Sequence, residues 1–208
     1  MATNTNTKID LKKELKPCYS PSAKQFAFVE VPPINFIMID GVGDPGTSEA
    51  YADAVGALFA VAYTTKFTLK KTGGHPDFAV MPLETLWWAD DMDDYISGRR
   101  DRWKWTAMIA QPAFVSKNDI EAAKAAAAAK KSLPAIDGLR FEQFAEGQAA
   151  QILYLGPYAD EGPTIAALHQ FIADGGKERR GLHHEIYLSD ARRTAPEKLK
   201  TIIRQPVT

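Results

Sequence analysis

Cysteine is almost absent: Cys18 is the single one in 208 residues. No internal disulfide can staple the fold, and without a CxxC partner neither a dithiol couple nor a cysteine-based metal site is available. No apolar run approaches the ~20 residues that span a bilayer, and residues 1–25 carry no hydrophobic segment of the secretory type, so a cytoplasmic protein without a membrane partner is expected. Charge of one sign is not in excess, because 25 Lys and Arg stand against 26 Asp and Glu. That balance removes the phosphate-neutralising field on which non-specific nucleic-acid binding depends, and no nucleic-acid partner is expected.

Familiar catalytic signatures are missing too. No GxSxG is present, so nothing marks a serine nucleophile elbow. The run Gly41-Val42-Gly43-Asp44-Pro45-Gly46 lacks the Lys and Ser/Thr of a phosphate loop, and Pro45 removes a backbone donor; it reads as a turn. Asp90 to Asp94 lacks the alternation and terminal Glu of a calcium loop and reads, with Arg99 to Arg102, as a solvated hairpin tip. His183 and His184 are neighbours on a strand and point to opposite faces, while His75 and His169 have no ligand spacing. Neither a metal nor a cofactor is expected.

What is present is an ordinary globular composition, 45% hydrophobic and 25% charged, enough to bury a core in one large domain or two intimate ones. Residues 1–24 read as a polar N-terminal arm and 25–208 as the folded domain. Phe26 to Val31 and Ile34 to Ile39 alternate like strands around Pro32-Pro33. Thr47 or Ser48 can cap a helix whose apolar face is Tyr51, Val55, Leu58, Phe59 and Ala62, with Gly56 suggesting a close backbone approach. Phe78 to Ala89 and Trp103 to Ala110 look like an antiparallel pair. Ser116 and Asp119 form a capping box for a helix over 117–131, which must stop before Pro134. In the second half come a strand over 151–157, a helix entered at Gly162-Pro163, a strand over 183–188 and a last one over 201–207.

The two halves run in the same order: strand, Gly-rich turn, helix, strand, strand. Laid on each other they place Leu83-Glu84-Thr85-Leu86 opposite His184-Glu185-Ile186-Tyr187. The chain therefore reads as an α+β fold made by duplication of a β-α-β-β module: module one over 26–115, a linking helix over 116–132 and module two over 139–208. Its antiparallel sheet should be shared by the two modules and carry helices on one face.

The run Tyr51 to Phe67, the segments Pro82-Leu83-Glu84-Thr85-Leu86-Trp87-Trp88 and Trp103-Lys104-Trp105, and the closing His183-His184-Glu185-Ile186-Tyr187-Leu188-Ser189-Asp190 resemble a stand-alone GyrI-like small-molecule-binding protein. The likeness runs from about Ile9 to the C-terminus. It implies a duplicated module with a ligand cleft, consistent with the repeat read from the residues. Family members include effector domains of regulators, gyrase inhibitors, and stand-alone proteins that hydrolyse cyclopropane-containing DNA-alkylating natural products. Residues 1–25 are too few for a helix-turn-helix, which argues against the regulator type.

Glu185 is the central candidate. Strand alternation puts His183, Glu185 and Tyr187 on one face and His184, Ile186 and Leu188 on the other, so Glu185 and Tyr187 can face a cleft while the second set packs inward. The resemblance places a Glu of this strand in the ligand pocket; the plain alternative is a solvated Glu on an exposed sheet face. Glu84 is its counterpart under the repeat, either a second carboxyl of the cleft or a structural Glu. Among the ring residues, Trp88 and one of Trp103 and Trp105 are expected in the pocket, with the rest in the core. Tyr63 and Tyr154 are weaker candidates.

Two functions compete. One is a cofactor-free hydrolase in which Glu185, its pKa raised by the aromatic surroundings, is general base on a water that opens an activated cyclopropane. The other is binding or sequestration of lipophilic cationic drugs, with Glu185 as counter-charge. Either way the expected partner is an aromatic or cationic small molecule, bound by a monomer or homodimer.

Overall fold

A computed structural model describes residues 8–90 and 99–208. The expected hairpin tip, Asp90 to Arg102, falls largely outside the described residues. In chain order the elements are α1 (Leu11–Glu14), α2 (Lys16–Tyr19), β1 (Ala27–Val31), β2 (Ile34–Val42), α3 (Glu49–Thr72), β3 (Leu83–Trp88), β4 (Lys104–Gln111), α4 (Lys117–Ala128), β5 (Arg140–Phe144), β6 (Gly147–Leu155), α5 (Gly162–Asp174), β7 (His183–Tyr187) and β8 (Lys200–Pro206).

The strands form one eight-stranded antiparallel sheet in the order β1-β6-β8-β7-β3-β4-β2-β5. Replacing each of the first four strands by the strand four later reverses that order onto itself, so the duplication is a pseudo-two-fold whose axis passes between β7 and β3. Each half lends its first strand to the other: β1 pairs with β6, and β5 pairs with β2. Strand β5 was not anticipated, because Arg140 to Phe144 is short and lies on the sheet edge.

Two short connections dictate the shape of the sheet. Only Pro32-Pro33 joins β1 to β2, and only Ala145-Glu146 joins β5 to β6. Three Cα steps reach at most about 11 Å, whereas strands six positions apart in a flat sheet would be separated by about 29 Å. The sheet must therefore curl until its two ends approach. The β5–β6 connection crosses the face turned away from the helices, since Glu146 meets His184 on β7 and Arg204 on β8 there. The same inner face receives residues of the N-terminal arm, where Leu11, Cys18 and Tyr19 are buried and Ile9 bridges to Phe78. The arm is thus docked along this stretch.

Helix α3 begins as its sequence requires, with the Ser48 hydroxyl accepting from the Tyr51 amide. It buries Ala54, Ala57, Leu58, Val61 and Ala62 against β2 and β4. Gly56 does not mark a close approach, because a Cβ there would meet nothing within 4 Å. That role falls to Gly41 on β2, where a Cβ would sit 2.2 Å from the Trp105 ring. The Ser116/Asp119 capping box starts α4 as expected. Helix α5 packs on β6 and β8, burying Leu168 and Ile172 against Ala150, Ile152 and Ile203. Both long helices lie on the outer face, over opposite halves of the sheet. The central strands β3 and β7 are left between them as the floor of a groove.

Candidate functional site

The groove floor follows from register. Thr85 on β3 is directly opposite Glu185 on β7, Trp87 is opposite His183, and Leu83 is opposite Tyr187. Cross-strand partners share a face, so His183, Glu185, Tyr187, Thr85 and Trp87 all point into the groove. Glu185 is held at both oxygens. Tyr187 donates its hydroxyl to Oε2 at 2.7 Å, and His183 Nε2 lies 3.1 Å from Oε1. The Trp87 indole N–H in turn donates to the Tyr187 hydroxyl at 3.1 Å.

The helix N-termini complete the walls. From the start of α3, Tyr51 packs edge-on to Trp105 at 5.0 Å and stacks on Trp87 at 5.8 Å, with its hydroxyl 3.1 Å from the Thr85 hydroxyl. From the turn before α5, Tyr158 meets Tyr187 edge-on at 5.5 Å. Glu161, the residue preceding α5, is 3% exposed, and its carboxyl lies within hydrogen-bonding reach of Glu185.

Two adjacent carboxyls cannot both ionise cheaply, and their protonation states separate. Burial, followed by the charge of Glu185, pushes Glu161 up to about 9, with the Thr201 hydroxyl pulling slightly the other way. A helix N-terminus favours an anion by only ~0.3–1 kcal/mol, less than one pKa unit, so it cannot offset a shift of this size. Glu185 goes the opposite way. Burial alone would raise it, but the hydrogen bonds from His183, Tyr187 and Trp87 together outweigh burial and hold it below the ordinary carboxylate range. The expectation that aromatic surroundings would raise Glu185 is therefore corrected: these rings carry donors. Burial and the nearby carboxyls push Tyr51 and Tyr158 to about 12, and Tyr187 well above its ordinary value, so all three remain donors.

A histidine arm leaves the other side of Glu185. His183 is followed by His169 on α5, whose Nδ1 lies 3.0 Å from Arg179 Nη1. Burial, then Arg179 and His183, lowers His169 to about 4.

Several expected site residues lie elsewhere. Glu84 does not face the groove. It is opposite Ile186, on the inner face, where Tyr19 donates to its Oε1 at 2.8 Å and His184 Nε2 is 3.1 Å from its Oε2. The repeat had paired Glu84 with Glu185, whereas the β3–β7 register sets Thr85 against Glu185. A one-residue slip moves a side chain to the other face of a sheet. The same slip misplaces Trp88, which shares the face of Glu84, and hides Trp87, which is in the groove. Trp105 is on the groove side but only 1% exposed, a support beneath Tyr51. Trp103 is half-buried and edge-on to Trp87 at 5.9 Å, with Arg100 over its ring.

Tyr63 belongs instead to an exposed aromatic stripe on α3, between Phe59 and Phe67. Tyr154 lies on the outer face of β6, donates to the Pro157 carbonyl at 3.1 Å, and is raised by burial and by Asp160 and Glu161. Glu161, Tyr51 and Tyr158 were missed as site residues. Their shared signal is position, since Glu161 precedes α5 as Ser48 precedes α3.

The inner face carries a second ionic cluster. His184 Nδ1 is 2.9 Å from Glu146 Oε1, and Arg204 Nη1 donates to Glu146 Oε2 at 2.9 Å. Arg204 also donates to Gln151 and to the Cys18 carbonyl. Burial works against the charge on His184, but Glu146 and Glu84 outweigh it and raise His184 to about 9. Burial likewise opposes Glu146, which His184 and Arg204 bring down to about 2.

Among the described residues no helix is long and apolar enough to cross a membrane. An uncharacterized conserved protein from Listeria innocua is 41% identical over 97% of this chain and 100% of its own, with a TM-score of 0.87. A protein from Listeria innocua described as a hydrolase is 40% identical over the same shares, with a TM-score of 0.85. The EcmrR C-terminal domain covers 88% of this chain and 97% of its own at 14% identity and a TM-score of 0.55, a likeness of fold alone. No curated protein sequence matches. The family model of the GyrI-like small molecule binding domain matches residues 24–208, and the chain belongs to that family.

Proposed function

We propose that this protein is a cofactor-independent hydrolase that opens an activated cyclopropane with water, disarming DNA-alkylating natural products that carry such a ring. The observation that carries this reading is Glu185: a carboxylate fixed at both oxygens by Tyr187 and His183 on the floor of a groove walled by Tyr51, Trp87 and Tyr158. The rings hold a flat ligand, Glu185 takes a proton from water as it attacks the strained carbon, and a tyrosine hydroxyl stabilises the oxygen on which negative charge develops. Ring strain lowers what the protein must supply, so a base as weak as Glu185 suffices. The 40% identity to a Listeria innocua protein described as a hydrolase supports hydrolysis.

The lowered pKa of Glu185 favours one second reading, a binding protein in which the permanent negative charge faces lipophilic cations. Liquid chromatography with mass detection separates the two. A hydrated, ring-opened product from wild type, absent from Glu185→Gln, is the expected result with an alkylator whose cyclopropane is conjugated to a carbonyl. Unchanged compound at catalytic protein levels, with Glu185→Gln weakening cation binding only, supports the second reading.

A further inference from the structure

We infer that Glu161 is a positioning residue of the same reaction, one that with Glu185 holds the attacking water by both of its hydrogens. The inference rests on the hydrolase reading above and adds a residue that neither the repeat nor the motif segments indicate.

Its basis is geometric. Glu161 is 3% exposed, its carboxyl is within hydrogen-bonding reach of Glu185, and its Oε1 has no hydrogen-bond partner among the described residues. A buried carboxyl oxygen without a partner has lost its water and gained nothing in return, so such an atom calls for an occupant. Two touching carboxyls share one proton at neutral pH, and the burial that raises Glu161 assigns the proton to it. The acid O–H then donates to Glu185 and leaves Oε1 as an acceptor. Glu185 already receives one hydrogen bond at each oxygen, and each oxygen has a second lone pair. A water beside the pair donates one hydrogen to Glu161 Oε1 and the other to Glu185, and its own lone pair is turned to the groove.

The step balances without a co-reactant. The water oxygen bonds to the cyclopropane carbon as the ring C–C bond breaks, and that bond's electron pair moves onto the conjugated carbonyl oxygen. Glu185 takes the water proton, and the oxyanion is protonated from solvent. If Glu161 ionises, the pair carries two negative charges and the donor to Glu185 is lost. The groups facing the pair are Tyr187 and His183 from β7, Tyr51 from α3, His169 from α5, the Thr201 hydroxyl from β8, and Tyr154 and Tyr158 beside Glu161, with Asp160 and Asp190 near those two tyrosines. The tyrosines are all raised and His169 is lowered to about 4; His184, raised to about 9 on the opposite face, is told apart from Glu161 by the Glu161→Gln variant.

The test uses the variants Glu161→Gln and Glu161→Leu. Gln keeps a neutral side chain with an N–H for Glu185 and a C=O for water, but cannot ionise. Its expected kcat is within about tenfold of wild type, and the decline expected of wild type near pH 9 should be gone. Leu holds no water and should lower kcat by about 100-fold. Equal losses in the two variants, or an alkaline decline that persists in Glu161→Gln, overturn the inference. Infrared spectra separate its failure from that of the hydrolase reading. A protonated-carboxyl band at pH 7 that titrates away near pH 9 and is missing from Glu161→Gln supports the shared proton even where no product forms. Product formation without that band leaves the hydrolase and removes the pair.

Discussion

Strand β7 carries ionisable side chains to both faces of the sheet, and the two clusters they enter differ in charge balance and in exposure. On the inner face both ring nitrogens of His184 meet carboxylates, and Arg204 is bound to Glu146, Gln151 and the Cys18 carbonyl. His184, Glu84 and Arg204 are each no more than 1% exposed. On the outer face Glu161 keeps an oxygen without a partner among the described residues, and Tyr158 is 41% exposed. Two cations and two carboxyls neutralise one another there: Glu84 Oε2 and His184 Nε2, 3.1 Å apart, form an ion pair without hydrogen-bond geometry, and both are sealed from solvent. The cluster ties the docked N-terminal arm, through Tyr19 and Cys18, to β3, β7 and β8. The outer cluster has spare acceptors and carboxyls of split protonation, the pattern of a site that acts on something else. Burial of charge alone therefore does not mark a site; carboxyls without a balancing cation beside an exposed ring do.

Breaking the inner cluster should have the largest effect on stability. Glu146→Gln leaves Arg204 and His184 without their shared anion and is expected to destabilise the fold by about 3–5 kcal/mol, lowering Tm by about 10 °C in calorimetry. Glu185→Gln, one residue from His184 in sequence, should abolish turnover yet cost only about 1.5–3 kcal/mol, because the amide oxygen still accepts from one of the same donors and the like charge beside Glu161 is removed. Comparable Tm losses in the two variants would erase the contrast between the faces.

The pH dependence of stability resolves the clusters in separate windows. Glu146 is lowered to about 2 from 4.5, so its contribution is present above pH 4.5 and is lost as pH falls through 2. His184 is raised to about 9 from 6.5; its contribution is whole below 6.5 and is lost as pH rises through 9. Glu161 is raised to about 9 from 4.5, so stability also declines with pH from 4.5 upward on its account. Denaturant titrations should show the decline between pH 4.5 and 6.5 disappear in Glu161→Gln while that from 6.5 to 9 persists in part. A decline from 4.5 to 6.5 that survives the substitution would mean the outer carboxyls share no proton.

The smallest expected effect sharpens the outer cluster. Trp87→Phe keeps a ring beneath Tyr51 but removes the N–H that Tyr187 accepts, and should cost about 1 kcal/mol of stability. Because that N–H helps hold Glu185 low, the acid limb of the activity profile should move to higher pH. An unmoved limb would mean that Tyr187 orients Glu185 without help from Trp87.

Alternation within β7 was legible: His183, Glu185 and Tyr187 on one face, His184 and Ile186 on the other. So were the duplication, the Ser48 cap and the Ser116/Asp119 box, because each depends on residues a few positions apart. Glu84 and Trp88 were misplaced for one physical reason. Matching the two halves by their strings set Glu84 against Glu185, while the backbone ladder set Thr85 there, and the side-chain period of two turns a one-residue error into a change of face. Glu161 carried no motif at all. An acidic residue before Gly-Pro reads as a loop residue until the curl of the sheet and the seating of α5 bring it against Glu185.

Local chemistry in the sequence determined the elements other than β5, the Ser48 and Ser116/Asp119 caps, the two-fold order of the modules and the side chains that share a face with Glu185, since each follows from the nearest neighbours along the chain. Only the tertiary structure decided that Glu84 belongs to a sealed inner cluster, that Trp87 rather than Trp88 supports the groove, and that Glu161 is the second carboxyl. These depend on strand register and on a sheet curled by two two-residue connections, and both bring together residues far apart in the chain. Protonation follows the same division: two glutamates of the same chemistry are held in opposite states by neighbours that only the fold supplies.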